Sequence, residues 1–275
     1  MTLFLLGLLA GGTIFLSLPV ARLKYVGAKT KGFLNAISTG ILIFLLVEIT
    51  GHLLEQMEDL LLASTEGRHT LPDVFFFGGL LFAGFSIGLL SLVLFEQRYL
   101  GIAKNGIAPK RRAHQIAMLI AIGLGLHNFS EGLAIGQSYA SGALAIGPAA
   151  APGSLRLAWL LAIGFALHNA TEGFGIAAPL TGHQASWSFI GLAGLIGGGP
   201  TCLGALVGGV WVNQGMEVFC LSLAAGTLLY VIGELLHLGR HLKAEGEVIV
   251  ELGLLVGFFI AMVADFLLLF AGGGS

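Results

Sequence analysis

Long apolar stretches, broken by short polar or Gly/Pro-rich joints, run along nearly the whole chain. About 20 apolar residues wound as a helix cross roughly 30 Å of hydrocarbon. Eight such spans can be marked: Thr2 to Val20, Phe33 to Leu62, Val74 to Phe95, His114 to Ala140, Arg156 to Leu180, Ala185 to Val212, Met216 to His237 and Val248 to Phe270. The joints include RLKYVGAKTK after the first span, STEGRHTLPD after the second, EQRYLGIAKNGIAPKRR after the third and GPAAAPGS after the fourth, all typical breaker compositions. The pattern predicts an all-α integral membrane protein of eight transmembrane helices. Residues 1–275 then form a single transmembrane domain that leaves no room for a soluble one.

Short cytoplasmic loops are enriched in Lys and Arg, which sets the expected orientation. The joints after helices 1, 3, 5 and 7 hold Arg22, Lys24, Lys29, Lys31, Arg98, Lys104, Lys110, Arg111, Arg112, Arg240 and Lys243, against only Arg68 and Arg156 on the other side. Both termini are therefore expected to be extracytoplasmic, in a multi-pass protein of the cell (inner) membrane. The charges near helix 1 follow its apolar run, unlike those of a cleaved signal peptide, so it is expected to remain as a span.

Composition agrees: 56% of residues are hydrophobic and only 10% charged, where soluble domains carry about a quarter charged residues. The net charge of −2 and the lack of a long charged run argue against a nucleic-acid partner. Cys202 and Cys220 lie in apolar stretches without CxxC spacing, which indicates neither a disulfide framework nor a thiolate zinc site. They read as small core residues.

AIGLGLHNFSEGLAIG in helix 4 recurs in helix 5 as AIGFALHNATEGFGIA, without a gap and forty-one residues on. Each copy carries HNxxEG, so His127 and Glu131, like His168 and Glu172, are four residues apart and share a helix face. Helices 4 and 5 are expected to be antiparallel neighbours, so the two faces meet near the bilayer midplane. A carboxylate at that depth costs at least a few kcal/mol, which a divalent cation would offset. Two imidazoles and two carboxylates make a four-ligand set suited to Zn²⁺ and tolerable to Fe²⁺, Mn²⁺, Co²⁺ or Cd²⁺. An all-oxygen Ca²⁺ or Mg²⁺ cage fits less well. The bland alternative is that the four residues hydrogen-bond to one another and fix helix register with the Glu protonated. Asn128 and Asn169 read equally as a second oxygen-donating tier or as ordinary interhelical hydrogen bonds. Gly123, Gly132, Gly164 and Gly173 flank the motifs and suit close helix approach.

These residues resemble the ZIP (Zrt/Irt-like) family of metal transporters, particularly its prokaryotic GufA-like branch. HNFSEG and HNATEG are similar to that family's paired metal-binding motifs, and the resemblance runs over the whole chain. It implies a homodimer and a binuclear site. One position would use His127, Glu131, His168 and Glu172, and the other Asn128, Asn169 and bridging Glu131 and Glu172. It also implies an elevator-like motion of helices 1, 4, 5 and 6 against helices 2, 3, 7 and 8. The chain departs from the family in helix 6, where Thr201 and Cys202 stand at the positions of the usual Glu and Pro. A hydroxyl is a much weaker ligand than a carboxylate, so a single-metal site is expected. In helix 2 the family's HLLPEA reads HLLEQM, and in helix 7 LYVIGELLH resembles YVVxEEL.

Glu48, His52, Glu55 and Asp59 follow one face of helix 2 and read as an outer cation ladder, while Glu234, His237 and His241 read as an inner receiving face or an interfacial anchor. His69, His114 and His183 carry no assigned role, and Asp265 has no partner nameable from sequence. The expected function is divalent-metal transport into the cytoplasm by alternating access, without enzymatic activity. The alternative is an intramembrane metal-dependent hydrolase, against which stand the missing HExxH and the use of both Glu as ligands.

Overall fold

A computed structural model describes residues 1–23, 27–100, 108–144, 153–211, 213–242 and 247–273. Among these residues the chain is helical, with no strand. The helices are α1 (Thr2–Gly12), α2 (Ala28–Thr65), α3 (Leu71–Phe95), α4 (Pro109–Leu144), α5 (Gly153–Leu180), α6 (Trp187–Gly208), α7 (Gln214–Leu242) and α8 (Glu247–Gly273). Seven helical stretches are long and apolar enough to cross a membrane. The 28-residue α5 is not among them, because His168, Asn169, Thr171 and Glu172 lower its hydropathy.

The first predicted span is α-helical only to Gly12 and continues as two 3-10 turns, Thr13–Leu16 and Leu18–Arg22. Hydroxyls that return to the backbone accompany the change: Thr13 Oγ1 donates to Ala10 O at 2.8 Å and Ser17 Oγ to Ile14 O at 3.3 Å. Pro19, which lacks an N–H, suits the second turn. The predicted sixth span ends early, at Gly208, and its predicted boundary Val212 lies outside the described residues. Of the cations used for orientation, Lys24, Lys104 and Lys243 also lie outside them, as does the side chain of Arg156.

Joint chemistry fixes several helix starts. Thr70 and Asp73 form a capping box ahead of α3, with Pro72 in the first turn. Ser186 Oγ accepts from Phe189 N at the start of α6, and Asn213 Oδ1 accepts from Met216 N at the start of α7. Between α5 and α6, Gly182 takes the left-handed conformation, and its N–H donates to Leu23 O. Arg22 Nη1 donates to Ala185 O at 2.8 Å and lies over Trp187, which ties this loop to the end of the first span.

The helices sort into two groups. α1, α4, α5 and α6 pack chiefly on one another, and α2, α3, α7 and α8 do the same. The groups meet mainly where α4 faces α7 and where α5 faces α2 and α8. Within each group glycines bring backbones into direct contact. A Cβ at Gly132 would collide with Thr201 O, one at Gly198 with Gly11 O and one at Gly173 with Ile14 O. In the second group the same holds for Gly88 against Leu223 O and Gly257 against Ile37 O. Such approach permits Cα–H···O contacts and dense van der Waals packing, the chief sources of helix association in lipid. Across the shared face, Gly123 meets the Val231 side chain instead. Hydrogen bonds there include Ser130 Oγ to Cys220 O at 3.1 Å and Thr227 Oγ1 to Gly123 O at 3.4 Å.

Candidate metal centre

Each HNxxEG copy lies inside a helix, which places its His and Glu one turn apart on the same side. α4 and α5 pack against each other, and His127 Nε2 lies 3.6 Å from Glu172 Oε1. Asn169 Nδ2 donates to Glu131 Oε2 at 3.0 Å. As one position rises along α4 its partner falls along α5, the pairing of antiparallel helices. His127, Glu131, His168, Glu172, Asn128 and Asn169 are all at most 5% exposed. Six polar side chains in an apolar interior demand partners.

The structure brings three predicted ligands together. One donor atom each from His127, Glu131 and Glu172 lies within 4.8 Å of the others, and His127 Nε2 is 3.3 Å from Glu131 Oε1. Mutual hydrogen bonding does not account for them. Both His127 ring nitrogens, Glu131 Oε1 and both Glu172 oxygens are buried without a hydrogen bond of good geometry, although Asn128 adjoins Glu172. Polar atoms gathered at one point without well-formed hydrogen bonds suit a cation site. One imidazole and two carboxylates can supply three ligands of borderline hardness, the number usual where a metal keeps an exchangeable position.

His168 departs from the predicted four-ligand set. It is buried, and its Nε2 lacks a hydrogen-bond partner, but it does not join the group of three. It lines a cavity beside them. The asparagines make the interhelical hydrogen bonds of the second reading. Asn128 Nδ2 donates to Gly197 O at 3.0 Å on α6, and Asn169 Nδ2 to Ala10 O at 3.2 Å on α1, while both Oδ1 atoms stay buried without partners. Thr201 is fully buried with Oγ1 unpartnered, beside Gly11.

A cavity of about 250 Å³ reaches this group from one end of the molecule. His127, Ser130, Glu131 and His168 line its inner part, and Glu48, His52 and Glu217 its outer part. The His52 and Glu217 side chains are 53% and 36% exposed, which marks the mouth. Two members of the predicted ladder, Glu48 and His52, thus border the cavity. Glu55 does not, and Asp59 borders a separate outer hollow with Glu66, Arg68 and His69. Glu217 has no counterpart in the sequence reading. Only the tertiary pairing of α2 with α7 brings it to His52. Cys220 is buried as expected, yet it belongs to the cavity wall.

The helices around the group also carry much of the apolar core. Ile120, Leu124, Ile176, Leu228 and Val231 are fully buried in one apolar cluster. On the far side a hollow of about 220 Å³ is lined by Glu234, His237, His183, Arg112 and Pro179. His183, first given no role, belongs there, and burial followed by the charge of Lys31 lowers its pKa. The His241 side chain lies outside the described residues.

The chain matches no family model and no curated protein.

Proposed function

We propose that this chain is a divalent transition-metal transporter of the ZIP type that carries Zn²⁺, and plausibly sized relatives such as Fe²⁺, Mn²⁺, Co²⁺ or Cd²⁺, into the cytoplasm as substrate. One observation carries the reading. Donor atoms of His127, Glu131 and Glu172 converge, buried and without hydrogen-bond partners, and the first two line the inner part of a cavity whose outer part is bordered by the partly exposed His52 and Glu217. A substrate site with access from one side at a time is the essential element of alternating access.

In this reading the termini are extracytoplasmic, the protein sits in the cell membrane as a homodimer, and the open cavity faces outward. Metal sheds water at the mouth and binds the His/Glu group. It then leaves past Glu234 and His237 once the α1/α4/α5/α6 group shifts against α2/α3/α7/α8. Glycine-to-backbone contact inside each group, with side-chain contact between groups, supports a rigid-body shift. In this account the protein is not an enzyme, and the buried His168 beside the group is read as part of the metal's path, not as a general base.

The test is uptake of Zn²⁺, Cd²⁺, Fe²⁺ and Mn²⁺ into proteoliposomes by wild type, His127→Ala and Glu172→Ala. Flux in the wild type and its loss in both variants are expected. Undiminished flux in the variants would overturn the site, and no flux of any metal would overturn transport.

A further inference from the structure

The mouth of the cavity holds a second constellation, on different helices from the first. His52 and Gln56 come from α2 and Glu217 from α7. His52 Nε2 lies 3.9 Å from Glu217 Oε1. Gln56 Nε2 sits against both, 2.8 Å from His52 Nε2 and 3.3 Å from Glu217 Oε1. With the amide nitrogen so placed, it donates to His52 Nε2, which the tautomer protonated on Nδ1 leaves free to accept. The reverse amide orientation would set Gln56 Oε1 against the Glu217 carboxylate. The amide hydrogens thus lie where an imidazole lone pair and a carboxylate oxygen converge, the place a cation would take.

We propose that His52 and Glu217 form a staging site for the transported divalent metal, which displaces the Gln56 amide and is then passed inward. The inference rests on the transport reading above. A zinc-sized ion with bonds of about 2.0–2.2 Å needs its two donors a little over 3 Å apart, a small side-chain rotation from the observed spacing. Gln56 Oε1, buried and without a partner, supplies a further oxygen donor once the amide turns. Glu48 lies one turn deeper on α2, borders the same cavity and acts electrostatically on both His52 and the His127/Glu131 region. Beyond it stand the unpartnered donors of His127, Glu131 and His168, each nine-tenths buried or more. The staging site belongs wholly to the α2/α3/α7/α8 group and the deep site wholly to the other. Metal would therefore bind one body first and cross to the second before that second body moves.

The experiment is Zn²⁺ titration calorimetry on the detergent-solubilised full chain, paired with Zn²⁺ uptake in proteoliposomes. The variants are His52→Ala/Glu217→Ala, Gln56→Glu and His127→Ala/Glu172→Ala. The wild type should show a tight and a weaker binding event. The mouth double variant should lose the weaker event and raise the uptake KM about tenfold, with the maximal rate held within about twofold. Gln56→Glu, which adds a carboxylate, should tighten the weaker event. A single wild-type event, lost only in His127→Ala/Glu172→Ala, would overturn the staging site and leave transport standing. So would an unchanged KM in the mouth variant, which would reduce His52 and Glu217 to a surface pair. Flux that survives in the deep variant would instead overturn the reading on which the inference rests.

Discussion

The two helix groups are built by the same means and carry different chemistry. In both, glycines let backbones touch, at Gly132 and Gly198 in the first group and at Gly88 and Gly257 in the second. Among the described residues only the first holds a buried donor set, formed by His127 and Glu131 of α4 and Glu172 of α5. The second group lines the approach to that set with Glu48, His52 and Glu217. Between the groups, Gly123 meets the Val231 side chain, with hydrogen bonds from Ser130 and Thr227. Backbone contact at glycines marks the packing within each group, while the apolar core that joins the groups is built from side chains. The polar ligands lie where a shift between the groups would change their access.

The largest effect expected from breaking this comparison falls on the donor set. Glu172→Ala should weaken Zn²⁺ binding on the order of a hundredfold or more in equilibrium titration, since it removes a ligand and leaves His127 and Glu131 without balance. Retained affinity would shift the chemistry out of the first group. Gly132→Val should come next, because its side chain collides with the α6 backbone at Thr201. We expect about 1–3 kcal/mol of destabilisation or more, read as a lower Tm in detergent. A valine at Gly123, whose near neighbours are the Val231 and Leu92 side chains, should cost less. An equal loss at both positions would erase the distinction between the cohesion of a group and that of the shared face.

The motifs, most helix spans and the all-helical class were legible because they rest on local spacing: HNxxEG puts His and Glu one turn apart wherever a helix forms. What stayed hidden depends on contacts distant in sequence. Glu217 is one acid in the first turn of a helix until α7 packs beside α2 and sets it near His52. His168 shares its motif with Glu172, but helix phase cannot say which of four candidate ligands converge once two helices cross. The 3-10 turns from Thr13 to Arg22 pack closely on α5 at Gly173, a contact between segments far apart in sequence.

Smaller effects refine the picture. Asn128→Ala removes the amide that ties the motif to Gly197 and should lower Zn²⁺ affinity about tenfold to a hundredfold, with the folded state retained by circular dichroism. Affinity should also depend on pH. Metal binds the deprotonated His and Glu, so each proton displaced weakens the apparent affinity about tenfold per unit of pH decrease. Titrations at stepped pH read the slope, and a flat profile would contradict carboxylate and imidazole ligands. The smallest effect should come from Thr227→Ala. It deletes one hydrogen bond between the groups and should cost about 0.6 kcal/mol, close to the resolution of a thermal melt.

X-ray absorption at the zinc edge on the zinc-loaded chain tests the central claim most directly. The account predicts a nitrogen and oxygen shell at about 2.0–2.2 Å with an imidazole signature. That signature should weaken in His127→Ala, and the shell should lose an oxygen in Glu172→Ala. A sulfur shell near 2.3 Å, or a spectrum unchanged by either substitution, would contradict it.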